Sequence, residues 1–446
     1  MTSGVRRAAA FALVGTVTFV VPWIQSVREP AVATLAAAGP FLLLAAAALT
    51  VGPRSRVFEL LARPSDRHDG RLYGVASFLL AAAGLAILSV SFGLPAHVFV
   101  ATVVLLSVGT LGDQLVRTVT AEHTLAAAGF VVAGFVGATG AQLVAGWLAG
   151  SAISWQLVVF LAASGSLSAA LLREALFRGD DALALVAVAL VLWLLAWLPL
   201  EITALRITVG IGATVVLGYL SVALKTASLR GMLTGVWLGL LAIVVGDYAW
   251  FAVLVTFFGI GGLSSKYRYD TKVRRGIAQE NKGVRGSGNV LANSLVALVA
   301  VLAAAASPEI PGTQTVYLFA FAGAVSGALA DTLSSEVGAL YDSPRLITTL
   351  EPVEPGTDGA VTWQGELAGI GGAAIIAGIA AVGFEPIGAV GAGVVIAAGF
   401  VGITVDSALG ATVEGGWLGN EGVNLIATFV AAITGSSLSA AVFNSV

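Results

Sequence analysis

The sequence predicts an all-α, polytopic transmembrane helix bundle, and three observations lead there. The composition is 58% hydrophobic with 11% charged residues and the mean hydropathy is +0.96, which is too apolar for a soluble globular chain. Apolar runs recur about fifteen times, each long enough at roughly 1.5 Å per residue to cross about 30 Å of hydrocarbon. Runs such as ALALVAVALVLWLLAWLPL (182–200) are apolar on every face, whereas the strands of a membrane barrel alternate.

The first run, 9–25, lies in MTSGVRRAAAFALVGTVTFVVPW. It is longer than the apolar part of a signal peptide and has no small-residue cleavage site before Arg28, so it reads as a span. Runs 31–51, 73–93, 96–112, 125–149, 153–171 and 182–200 follow, and polar or Gly-containing segments separate them. A boundary near Leu200, Glu201 and Ile202 closes an N-terminal bundle, 1–202, of about seven spans. The C-terminal bundle, 203–446, holds about eight more: 208–224, 231–245, 248–263, 288–306, 315–330, 369–384, 387–405 and 423–442. With a cytoplasmic N-terminus, all of the 22 Lys and Arg except Arg28 and Arg206 fall on the cytoplasmic side, as the positive-inside rule requires. The loops 225–230, 265–287, 331–368 and 406–422 then open on one face and can form one site.

Composition also excludes chemistry. There is no Cys, hence no disulfide or thiolate, and the three His (His68, His97, His123) lack metal-ligand spacing, which argues against zinc. A net charge of -3 gives no reason to expect nucleic acid.

Four polar constellations break the apolar pattern. Loop 265–287 gathers Lys266, Arg268, Lys272, Arg274, Arg275, Lys282 and Arg285. Topology alone explains some of these charges, but GVRGSGNVLANS follows, with Gly286 and Gly288 directly before a helix start. Backbone there can approach an anion closely, so the loop reads as a polyphosphate cradle, although it is neither a Walker loop nor a dinucleotide fingerprint. Asn289 and Asn293 stand one turn apart at the head of the next span and would orient the same ligand. In ADTLSSEVGAL, at about 100° per residue, Asp331, Thr332, Ser335 and Glu336 share a sector roughly 140° wide. Such an oxygen-only set suits a hard cation such as Mg²⁺; the plainer reading is a helix end meeting water. The turn-rich EPGTDGAVTWQGELAG adds Asp358 and Glu366, as metal or base groups or as solvated charges. DSALGATVEGGWLGNEGVN places Asp406, Glu414, Asn420 and Asn424 on the same membrane face. Ionisable groups so close to hydrocarbon are costly unless they face water, a partner or an ion.

These residues carry a resemblance. SSKYRYDTKV, NKGVRGSGNVLANS, ADTLSSEVG, PGTDGAVTWQGELAG and DSALGATVE together resemble the membrane proteins called domain of unknown function 92, also known as the transmembrane protein 19 family. Its plant members are phytyl-phosphate kinases. The resemblance covers roughly 203–446, and Glu414 stands where that family often has Gln. The N-terminal half resembles the CTP-using dolichol and phytol kinases: Gly112, Asp113, Thr120, Glu122 and Thr124 match, but Val119 replaces a lysine and His123 a glycine. The missing lysine implies a catalytically degenerate half.

The resemblance implies a magnesium-dependent kinase that moves a phosphoryl group from CTP or another nucleotide to an isoprenyl monophosphate at the cytoplasmic face of the lipid bilayer. Lys266, Lys272, Arg275, Lys282 and Arg285, with Gly286 and Gly288, would hold the nucleotide; Asp331, Glu336 and Asp406 would hold the metal; Asn293 and Asp358 complete the expected catalytic set. The competing class is a transporter or translocase of a lipid phosphate or ion, for which polar groups near mid-membrane are expected.

Overall fold

The computed structural model describes residues 3–24, 29–175, 180–223, 228–276, 287–414 and 416–443. Lys282, Arg285 and Gly286 lie outside the described residues. Among the described residues, thirteen helices are long and apolar enough to cross a membrane, and two shorter apolar helices accompany them. These fifteen coincide one for one with the expected spans.

The described residues divide into two compact units, Met1–Ile207 and Thr208–Val446. The first holds α1 (Gly4–Ile24), α2 (Pro30–Thr50), α3 (Tyr73–Ser91), α4 (Ala96–Val116), α5 (His123–Leu148), α6 (Trp155–Ala175) and α7 (Asp181–Trp197). The helix α8 (Ala204–Ala223) straddles the division; the second unit continues with α9 (Leu229–Gly246), α10 (Tyr248–Lys266), α11 (Ser287–Ala306), α12 (Gln314–Gly338), α13 (Trp363–Gly383), α14 (Gly388–Gly410) and α15 (Asn420–Phe443). Starts are set by polar caps. Asp180 accepts from Ala182 and Leu183 N–H at α7, Asp247 from Ala249 N–H at α10, and Thr362 from Gly365 N–H at α13.

In the first unit the mostly buried α4 packs on α5, with Gly112 set against Gly129 and Ala133. In the second unit α12 is the central helix and packs against α10, α11, α13, α14 and α15. Its stretch AGAVSGALA is small throughout, which lets neighbouring backbones close in, the usual basis of helix association in lipid. A Cβ on Gly402 of α14 would lie 3.1 Å from Gly327 Cα, and one on Gly327 would lie 2.8 Å from Ala431 Cβ of α15. Ser326 Oγ donates to Val395 O at 3.0 Å, tying α12 to α14 inside the bundle.

Two expected boundaries move. The span 315–330 belongs to a helix that runs on to Gly338, so Asp331 to Glu336 are still helical. The next helix begins at Trp363, so Glu366 sits in a first helical turn and not in a loop. Between them, the connector 339–362 carries the two-residue antiparallel strands β1 (Arg345–Leu346) and β2 (Ala360–Val361).

Candidate active site at one end of the C-terminal unit

Five segments of the Thr208–Val446 unit converge on a cavity of about 370 Å³. The start of α11 contributes Asn293, the end of α12 contributes Asp331, and the connector contributes Asp358; Asp406 comes from the last turns of α14 and Glu414 from the turn after it. The head of α15 adds Asn420 and Asn424. Asn293, Asp331, Asp358 and Asp406, drawn from four stretches far apart in sequence, thus meet in one place.

Backbone geometry explains how the connector reaches the helices. Gly359 has φ +73°, and a Cβ there would lie 2.3 Å from Ala411 N and 2.5 Å from Ser407 O. Only glycine permits that conformation at that approach. Ile347 N–H donates to Gly359 O at 3.1 Å and holds the turn to β1. The adjoining Asp358 is thereby delivered beside the end of α14.

Electrostatically the cavity is one-sided. It is lined by Asp331, Asp358, Asp406 and Glu414, and no Lys or Arg among the described residues lines it. Asp331 and Asp406 approach within hydrogen-bonding reach of each other, and Asp406 Oδ1 is buried with no hydrogen-bond partner among the described residues. Outside the spans, the Glu414 carboxyl is pushed above its ordinary range by burial first, then by the charges of Asp358 and Asp331. Asn424 Nδ2 donates to Asn420 Oδ1 at 2.7 Å, which fixes the orientation of both amides. Carboxylates crowded in this way are tolerable when a cation or a donor-rich ligand enters among them.

The donor set suits a hard cation in a limited form. Among the described residues no group of three or more His, Asp or Glu stands at metal-holding distance. The pair Asp331 and Asp406 would supply one or two carboxylates, with the remaining ligands coming from substrate oxygens and water, the habitual arrangement for Mg²⁺.

Several expected site residues fall elsewhere. Glu336 does not line the cavity: it is 5% exposed and its Oε2 accepts from Lys272 Nζ, itself 1% exposed. Lys272 Nζ also donates to Ser264 O at 3.0 Å. Two opposite charges removed from water bind each other before any ligand, so a metal on Glu336 or a phosphate on Lys272, as the sequence led us to expect, would have to displace this pair. Arg275 donates to Ala339 O at 3.3 Å and Tyr341 O at 3.2 Å, and pairs with Asp342 at 2.9 Å. It therefore caps the carboxyl end of α12, where a cation is favoured. Lys266 is exposed at the end of α10. Gly288 faces a carboxylate and not an open anion site, since a Cβ there would overlap Glu421 Oε1 at 1.6 Å. Glu366 is within 3.4 Å of Ser334 Oγ and does not line the cavity.

Residues 212–432 match the family described as Integral membrane protein DUF92. An uncharacterised membrane protein of Methanocaldococcus jannaschii is 34% identical over 235 residues, which cover 52% of this chain and 94% of that protein. One from Synechocystis is 37% identical over 188 residues, covering 41% and 70%. The chloroplastic protein VTE6 of Arabidopsis thaliana is 26% identical over 197 residues, covering 42% and 59%. No solved structure matches the chain.

Proposed function

We propose, on the premise that the chain belongs to the DUF92 family of integral membrane proteins, that it is an isoprenyl-phosphate kinase. It would transfer the terminal phosphoryl group of CTP, or of another nucleoside triphosphate, to an isoprenyl monophosphate. The observation that carries this reading is the cavity lined by Asp331, Asp358, Asp406 and Glu414 at the ends of the bundle helices, where a lipid phosphate and a soluble nucleotide can meet. The family resemblance supplies the isoprenoid and the nucleotide, and the distant similarity to VTE6 is consistent with it.

An acceptor phosphate oxygen attacks the terminal phosphorus, the bond to the bridging oxygen breaks, and the nucleoside diphosphate leaves with that electron pair. The acceptor oxygens are already largely ionised near neutral pH, so no general base is required. Mg²⁺ bound with the nucleotide would neutralise the transferring group. Asp331 and Asp406 would hold it, Asn293 and the Asn420–Asn424 pair would orient phosphate oxygens, and the turn at Gly359 would keep Asp358 at the cavity wall. Arg275, anchored on the α12 end, would stand at the rim. The N-terminus and the site would be cytoplasmic, in line with the distribution of Lys and Arg.

The test is a kinase assay on folded, detergent-purified protein with geranylgeranyl phosphate and labelled CTP, then ATP, with Mg²⁺ and with EDTA. A Mg²⁺-dependent diphosphate product is expected. Absence of product with every nucleotide, together with lipid-phosphate counterflow in proteoliposomes lacking nucleotide, would replace the kinase with a translocase.

A further inference from the structure

A second cavity, of about 520 Å³, lies wholly within the Met1–Ile207 unit at the ends of α4, α5 and α6. Its rim carries Asp113, Arg117, His123, Arg173 and Glu174 over a floor of buried Ala127, Phe130 and Ala170. The rim is hydrogen-bonded in sequence. Arg117 Nε donates to Asp113 Oδ2 at 2.9 Å, and its Nη2 meets His123 Nδ1 at 3.1 Å. A guanidinium only donates, so the ring Nδ1 accepts and the ring Nε2–H points at Glu174 Oε1, 2.9 Å away. Arg173 Cζ lies over the Phe130 ring, 4.7 Å from its centroid, and its contacts with Thr110 Oγ1 and Asp181 Oδ1 are both long, at 3.4 Å. With five N–H groups to a guanidinium, Arg117 and Arg173 keep donors for an incoming oxyanion.

The rim nevertheless presents both signs. A simple anion gains from Arg117 and Arg173 but is repelled by Asp113 and Glu174, whereas a ligand carrying a phosphate and an N–H-bearing cation satisfies both. The surroundings narrow its source. The cavity sits at the ends of three spanning helices, and Val119, in the turn after α4, is 88% exposed, an apolar side chain suited to the headgroup layer. We infer that this cavity binds the headgroup of an aminophospholipid, with Arg117 and Arg173 on the phosphate and Asp113 and Glu174 on the ammonium. A choline headgroup, with no N–H, could add no hydrogen bond to either carboxylate.

The full chain in detergent is titrated with short-chain phosphatidylethanolamine, phosphatidylcholine and phosphatidic acid, and with free phosphoethanolamine, and bound ligand is counted by native mass spectrometry. Phosphatidylethanolamine is expected to bind about tenfold more tightly than phosphatidylcholine, the worth of one charged hydrogen bond. Glu174→Gln should erase most of that preference, whereas Arg173→Gln, on the phosphate that both lipids share, should weaken both about equally. Ala170→Trp, which fills the floor without touching a charge, should also weaken both and keeps the test sound if a charge variant fails to fold. Equal binding of the two zwitterionic lipids, or tighter binding of phosphatidic acid, would overturn the assignment. Free phosphoethanolamine binding as tightly as the lipid would overturn the lipid source.

Discussion

The two cavities handle charge in opposite ways. In the Met1–Ile207 unit each rim carboxylate has a cation or ring N–H against it, as in Arg117–Asp113 and His123–Glu174. In the Thr208–Val446 unit four carboxylates line the cavity without a described Lys or Arg beside them, while the nearby Lys272 is spent on Glu336. Opposite charges set side by side can meet a ligand that carries both signs, whereas carboxylates crowded together favour a cation or a donor-rich ligand. The Thr208–Val446 unit thus contains a buried ion pair at Lys272–Glu336 and crowded carboxylates at Asp331–Asp406, and the two should respond differently to substitution.

Breaking the buried ion pair should have the largest effect. Lys272→Met strands a buried carboxylate and should cost about 3 to 5 kcal/mol of stability, read by denaturant unfolding in detergent. Adding Glu336→Leu should restore most of it, and a double variant as unstable as the single would show that the pair is not the cause. Asp331→Asn should instead lower turnover about a hundredfold, or ~2.7 kcal/mol, while thermal stability holds or rises as like charges separate. Full turnover in that variant would remove the cavity from the chemistry. Gly359→Ala should cost about 1 to 3 kcal/mol through its left-handed backbone and the contact with Ala411, with turnover falling as Asp358 is displaced. Stability and turnover both unchanged would dissociate the turn from the site.

The smallest effect concerns pH. Burial, Asp358 and Asp331 raise the folded-state Glu414 carboxyl above its unfolded value. Its contribution to stability is therefore fully present below the unfolded value and is lost as pH rises through the folded one. Glu414→Gln should raise the melting temperature more at pH 8 than at pH 5. An equal shift at both would deny Glu414 its crowded surroundings.

Much of the fold was legible because span length and hydropathy are local properties, and all fifteen apolar helices stand where the runs did. That Asp331, Asp358 and Asp406 meet in one cavity was legible for a related reason: an acid at the end of an apolar run is conspicuous, and topology alone brings such ends to one face. The Lys272–Glu336 pairing was not legible because nothing local distinguishes a lysine that will be buried from its exposed neighbours Lys266 and Arg268. The partner lies 64 residues away, on a helix that continues beyond its apolar stretch. The approach of Glu421 to Gly288 was hidden for a similar cause, since Glu421 belongs to the last helix. The Thr362 cap was a readable sign that α13 begins at Trp363 and takes Glu366 into its first turn.

The position of α12 restricts how the second unit can move. A helix gripped by five others, at contacts where Gly327 and Gly402 leave no side chain to rearrange, cannot slide or roll without shearing several interfaces at once. Piston and rocking motions through the middle of this unit are mechanically disfavoured, and Asp331 rides on its stiffest element. The softer part is the 339–362 connector, held by two short strands and the turn at Gly359. Slow steps of a working cycle should therefore appear as hydrogen exchange in the connector while the α12 amides stay protected.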